Sequence, residues 1–141
     1  MNMQSSTTKN LDLDRDAIWE QLRDEARAAV QDEPLLGSLI HAGLLHHDSL
    51  EAALAYRFSL KLASGEMSEQ ILREIADQAY RTSPQLGDAA RADLMAVYDR
   101  DPATHRLLQP ILFFKGFQAV QAYRIAHWLW QTGRRDMAYF V

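Results

Sequence analysis

No cysteine occurs among the 141 residues, so neither a disulfide framework nor a cysteine-based zinc site can form, and a reducing compartment is permitted. Long apolar runs are missing as well. The stretch Ile111 to Phe114 is far too short to span a bilayer, which excludes a membrane-spanning protein. There is no basic stripe: the net charge of −4 is spread along the chain, so no nucleic-acid partner is expected. Only six glycines are present, with no phosphate loop, Gly-x-Gly-x-x-Gly fingerprint or Gly-x-Ser-x-Gly elbow among them. No stretch alternates like a half-buried strand. Met1 to Asn10 is polar and lacks the apolar core of a signal peptide, which reads as a loose tail over residues 1–15 and a cytoplasmic protein.

What is present suits one soluble domain over 16–141. A chain with 48% hydrophobic and 24% charged residues can bury about two-thirds of its unfolded surface at this length. Every strong periodicity is helical, so the expected fold is all-α, about six to eight helices with mostly antiparallel neighbours. Ile18, Leu22, Ala26 and Val30, broadened by Trp19, predict a first helix from about Asp16 to Gln31. Asp32-Glu33-Pro34 announces a second, with Pro34 at its first position and Leu35, Leu36, Leu39, Ile40 and Leu44 along it. Asp48-x-x-Glu51 resembles a capping box for a third helix that stops near Gly65. Ser68 is placed to cap a fourth, with Glu69/Arg73 and Asp77/Arg81 as surface pairs. Ser83-Pro84 and Asp101-Pro102 repeat a cap-then-proline device before a fifth and a short sixth helix.

The last long helix, about Gly116 to Gln131, has no plainly polar face. Phe117, Arg124 and Trp128 share one side, Val120, Tyr123, His127 and Trp130 flank it, and Ala119, Ala122 and Ala126 form a smooth stripe opposite. Two readings stand: a helix central to the core, or an alanine stripe that admits another helix in an oligomer, with Tyr123, Trp128 and Trp130 as further interface candidates. The histidines carry no zinc motif, and no metal site is expected. His46 and His47 are expected solvated near a helix C-terminus, and His127 packed with one ring nitrogen donating. Asp101 is the carboxylate that stands out, either as an N-cap or as a binding group at a helix entrance. Nothing in the chain supplies nucleophile, base and oxyanion donors together.

The late wording is more specific than periodicity. Arg100-Asp101-Pro102, Phe114-Lys115-Gly116-Phe117, Gln121-Ala122-Tyr123-Arg124, His127-Trp128-Leu129-Trp130 and Gly133-Arg134-Arg135 in that order resemble the N-terminal helical region of bacterial serine O-acetyltransferases. Looser support comes from Ile18-Trp19, Glu25-Ala26-Arg27, Asp32 to Leu36, His41-Ala42 and Ser49 to Leu54. The resemblance implies transfer of an acetyl group from acetyl-CoA, the co-substrate of the intact enzyme, to L-serine, with L-cysteine inhibiting in the serine pocket. It carries over one substrate-binding residue, Asp101, with Arg100 and Pro102 completing its motif. It also implies assembly through the helices, as a hexamer in intact members, and O-acetylserine sulfhydrylase as a partner only through a C-terminal region beyond these residues. The hexapeptide-repeat β-helix that bears the CoA site and the general base has no counterpart here, so the expectation is a fragment with no catalytic residue and no bound cofactor of its own. A stand-alone helical interaction module is the alternative.

Overall fold

The structure, a computed structural model, describes the backbone of residues 3–100 and 106–141 and the side chains of 17–100 and 106–141. All its regular elements are helical: α1 (Met3–Asp32), α2 (Gly37–Ile40), α3 (Leu50–Leu62), α4 (Glu69–Thr82), α5 (Gln85–Arg100), α6 (Leu108–Phe113), α7 (Lys115–Gln131) and α8 (Arg135–Phe140), with a 3-10 turn at Pro34–Leu36 and a π turn at His41–Leu45. No described helix is long and apolar enough to cross a membrane.

The first helix is longer than its apolar spacing predicts. α1 is helical from Met3 rather than from near Asp16, and no glycine or proline between Met3 and Asp32 interrupts it. Helix propagation fixes only one residue per added hydrogen bond, so a run without breakers continues readily once begun. Leu22 and Ala26 on its inner face are fully buried, and Trp19 is nearly so. The second expected helix is instead a composite: Pro34 opens a 3-10 turn, α2 is a single turn, and the π turn follows, where the His46 amide reaches back to the His41 carbonyl at 2.8 Å. Leu35, at 92% exposure, is left outside this composite, while Ile40 and Leu44 are fully buried.

The cap of α3 shifts by one residue from the expected Asp48. Ser49 has extended backbone and its hydroxyl accepts from the Ala52 amide at 3.1 Å. Glu51, the would-be second half of the box, turns to Arg91 instead. Ser68 caps α4 as expected, accepting from the Ile71 amide at 3.2 Å. Along α4, however, Arg73 pairs with Asp77 at 3.3 Å rather than with Glu69, because its side chain reaches the next turn equally well.

α7 packs against α3, α4, α5, α6 and α8. Phe117, Ile125, Trp128 and Leu129 point inward and are buried, whereas Val120, Tyr123 and Trp130 stay exposed. Gly133, at φ +82°, ends the helix: its amide bonds the Trp130 carbonyl at 3.2 Å and the Arg134 amide bonds Leu129 at 2.8 Å, two bonds that only a left-handed residue allows comfortably. Beyond it, α8 folds back so that Tyr139 meets Trp130 edge-on, with centroids 5.6 Å apart.

His47 departs from its expected solvated place. It is 8% exposed, its Nε2–H donates to the Ala42 carbonyl at 2.9 Å, and its ring lies against Tyr56. The π turn leaves that carbonyl without its usual helical donor, and the imidazole fills the role. Burial, together with the positive charge of Arg73, holds its pKa below the usual histidine value despite the Ala42 bond and nearby Asp48. The unfolded chain therefore binds a proton more readily than the folded one. The stability His47 contributes is present above about pH 6.5 and lost as pH falls toward the folded pKa. Urea unfolding followed between about pH 7 and pH 5.5 should show this loss in the wild type and a flatter profile in His47→Gln, which keeps an N–H donor but does not titrate. Identical slopes would show that the fold is indifferent to this proton.

Candidate functional site

Asp101 and Pro102, singled out in the sequence, lie outside the described residues, as does His105. Arg100 closes α5 and is exposed. What the structure displays is how the two ends of the segment 101–105 are held.

On the α5 side the anchors are two charged residues two positions apart. At about 100° per residue, Arg91 and Asp93 face nearly opposite sides of the helix. Arg91 turns to α3, where its guanidinium donates to both Glu51 oxygens at 2.5 and 3.2 Å, with side-chain exposures of only 10% and 18%. Asp93 turns to α7 and accepts from Gln121 Nε2 at 2.8 Å and from Arg124 Nη2 at 3.0 Å. Gly87, one turn before Arg91, makes room for the first clasp: a Cβ there would collide with the Glu51 carboxylate. Tyr80 is buried beside this pair, and burial with the Glu51 charge pushes its phenol far above the usual value.

On the α6 side the anchor is Glu25 of α1. Its carboxylate accepts from the Leu107 amide at 2.7 and 3.1 Å and from the Leu108 amide at 3.4 Å. It thus satisfies amides that the start of a helix leaves without partners, and places a negative charge where the helix dipole favours one. Burial raises the Glu25 pKa above the ordinary carboxylate value, although the Leu107 and Leu108 amides pull the other way. Five residues therefore run between Arg100, on a helix clasped from two sides, and Arg106, next to a tethered Leu107.

Next to Arg100 a cleft of about 700 Å³ opens between α5 and α7, walled by Asp93, Val97, Arg100, Phe114 and Phe117. The interface candidates divide. Trp128, 8% exposed, belongs to this chain's own core; Ala122 and Ala126 are half-buried; Ala119, Tyr123 and Trp130 are exposed. His127 is exposed and stacks on Tyr123 at 6.3 Å instead of packing inside, because it shares the outer flank of α7 with that tyrosine. The site partners that spacing did not reveal are Glu25, Asp93 and Gln121. In spacing terms their signal is polarity within or beside an apolar face, as Gln121 shows at 5% exposure. Among the described residues, no group of three His, Asp or Glu side chains is placed to hold a metal.

Residues 18–122 match the family described as serine acetyltransferase, N-terminal. The chain belongs to that family. It is 45% identical over 124 residues to the serine acetyltransferase of Salmonella typhimurium, covering 88% of this chain and 45% of that protein. The crystal structure of a Brucella abortus serine acetyltransferase in complex with Coenzyme A superposes with a TM-score of 0.84 at 41% identity, over 88% of this chain and 50% of that one. A serine acetyltransferase complex with cysteine superposes with a TM-score of 0.85 at 40% identity, over 88% of this chain and 52% of that one. The chain thus spans about half the length of the serine acetyltransferases it matches, and this helical architecture is the one their matching portions adopt.

Gly87→Ala tests the clasp on α5. The added methyl gains about 1 kcal/mol in helix propensity at most, but it displaces Glu51 from Arg91, and separating a largely buried ion pair costs about 3–5 kcal/mol. The expected result is a net loss of about 2–4 kcal/mol in chemical unfolding. A variant as stable as the wild type would mean that Glu51 reaches Arg91 equally well by another path.

Proposed function

We propose that this chain works as the N-terminal helical region of a serine O-acetyltransferase, the enzyme that moves an acetyl group from acetyl-CoA to the hydroxyl of L-serine and releases CoA. The observation that supports this most is the match of residues 18–122 to the family, reinforced by the anchoring of both ends of the segment that holds Arg100-Asp101-Pro102. In this reading Asp101 contributes its carboxylate to the amino-acid pocket. A carboxylate pairs with the ammonium of serine and orients the hydroxyl for attack, and it receives the ammonium of cysteine in the same way. Rigid flanks matter for such a role, since displacement of a positioning group by about 1 Å can cost on the order of a hundredfold in rate.

The second contribution is assembly. Val120, Tyr123 and Trp130 expose apolar area on the outer face of α7, and patches of this kind mark interaction surfaces in soluble proteins. Self-association through this face, with Ala119 and Ala126 allowing close approach, joins copies of the domain. The general base and the CoA contacts are supplied by other parts of the enzyme, so residues 1–141 alone do not turn over.

Steady-state kinetics on a full-length serine acetyltransferase carrying these residues separates the roles. Asp101→Ala should raise KM for serine about tenfold or more, the equivalent of one charge-assisted contact, and leave KM for acetyl-CoA unchanged. Equal damage to both would reduce Asp101 to a helix cap. Serine-dependent CoA release by residues 1–141 alone would overturn the division of labour.

A further inference from the structure

Arg57 on α3 is 7% exposed, yet among the described residues no carboxylate pairs with it. Its Nε is fully buried and without a hydrogen-bond partner, and burial holds its pKa below the usual arginine value. Arg91 and Arg124, by contrast, set their terminal nitrogens on Glu51 and Asp93. A buried charge without a partner is costly in any fold and calls for a reason.

The surroundings supply one. Arg57 lines a groove of about 210 Å³ between α3 and α7, whose walls include Leu54, Phe58, Leu62 and Phe117 and whose other charged residues are Lys61 and Lys115. No acidic residue lines it. Lys115, Phe117 and Gln118 belong to the first turn of α7, which has no acidic residue and no capping side chain at Phe114. The positive end of that 17-residue helix therefore adds to the field of the three cations. The far end of Arg57 lies next to the π turn: a Cβ on Gly43 would stand 3.0 Å from its Nη2. A glycine there lets the guanidinium lie against the backbone, and the packing fixes its direction.

We propose that this groove binds a small monocarboxylate with an apolar body, its carboxylate on Arg57 and its body against Phe58, Leu62 and Phe117. One buried guanidinium matches one carboxylate in charge and in its planar, two-pronged geometry. Phosphate, with more charge and no apolar part, would leave the walls unused and pay a larger desolvation cost. An engineered apolar cavity of about 150 Å³ admits benzene, so this one has room for an acid of benzoate size. The site stands on the geometry of α3, α6, α7 and the π turn and does not depend on the role given to Asp101.

Calorimetric titration of the 141-residue chain with benzoate, hexanoate and inorganic phosphate tests it. Both organic acids should saturate a single site with Kd on the order of 1 mM or below, and phosphate should bind at least about tenfold more weakly. Arg57→Met, which keeps the length of the side chain and removes its charge, should weaken both acids about tenfold or more while melting at or above the wild-type temperature, because it relieves an unmatched buried charge. If that variant does not melt cooperatively, Arg57→Lys decides instead: it keeps the charge but loses the fork, and should weaken benzoate about threefold or more. Absence of saturable binding by either acid, affinities unchanged by substitution at Arg57, or phosphate binding as tightly as benzoate would each overturn the proposal.

Discussion

The position of α5 rests on two side chains, Arg91 and Asp93, that leave the helix in nearly opposite directions and end in partners on α3 and α7. Neither contact is primarily a source of stability. Desolvating a guanidinium and a carboxylate offsets most of their attraction, so a buried pair compares poorly with hydrophobic residues of equal volume, but losing one member leaves the other stranded at a cost of about 3–5 kcal/mol. That asymmetry makes the pairs effective at choosing a geometry. A rotation of α5 by one residue, about 100°, would break both clasps at once, whereas an apolar contact of Leu94 or Ala90 would merely slide. The direction in which the chain leaves Arg100 is thereby inherited from residues up to 13 positions earlier, beginning with the glycine that lets Glu51 pass.

Local physics was legible in the sequence, and non-local pairing was not. The hydroxyl of Ser68, the proline at 34, the inward Leu22 and Ala26 and the end of the last long helix at Gln131 are settled within four or five residues of themselves, and their elements stand near where spacing put them. The box at Asp48 went astray for an instructive reason. Asp48 and Ser49 are adjacent acceptors, either able to cap, and the choice fell to Ser49 because Glu51 had a distant claim on it from Arg91. Glu25 shows the same limit more strongly: its partner amides are 82 and 83 residues away, and an acid beside an apolar stripe looks in sequence like any solvated charge. His47 was misplaced because a π turn has no spacing signature of its own, and only that turn creates the orphan carbonyl that draws the ring inside.

α7 explains why two readings of an apolar helix could both be retained. A helix surrounded on every side would bury all of its large residues, while this one buries Phe117, Ile125, Trp128 and Leu129 and leaves Val120, Tyr123 and Trp130 outside. The two tryptophans, two positions apart, take opposite fates through helical geometry alone. Trp128 packs in the core; Trp130 is covered in part by Tyr139 and by Arg135, whose guanidinium carbon stands 4.7 Å from the ring centroid. Such partial covering by α8 lowers the exposure of the aromatic face without abolishing it.

The buried charges of the domain sort into two kinds, and the sorting follows from what each helix needs. Where a charge fixes the relative placement of two helices, its partner is on the page: Glu51 for Arg91, Asp93 for Arg124, the α6 amides for Glu25. Arg57 is joined to no other helix by an ion pair among the described residues, and α3 and α7 are in contact without one. A hydrophobic residue of the same length would serve that contact with less desolvation. In a chain of net charge −4, the absence of an acidic residue from the lining of this groove is a matter of arrangement rather than supply. α7 presents Gln121 and Arg124 to Asp93, and Gln121 also lines the groove beside Arg57 with Lys115, Gln118 and Ala122.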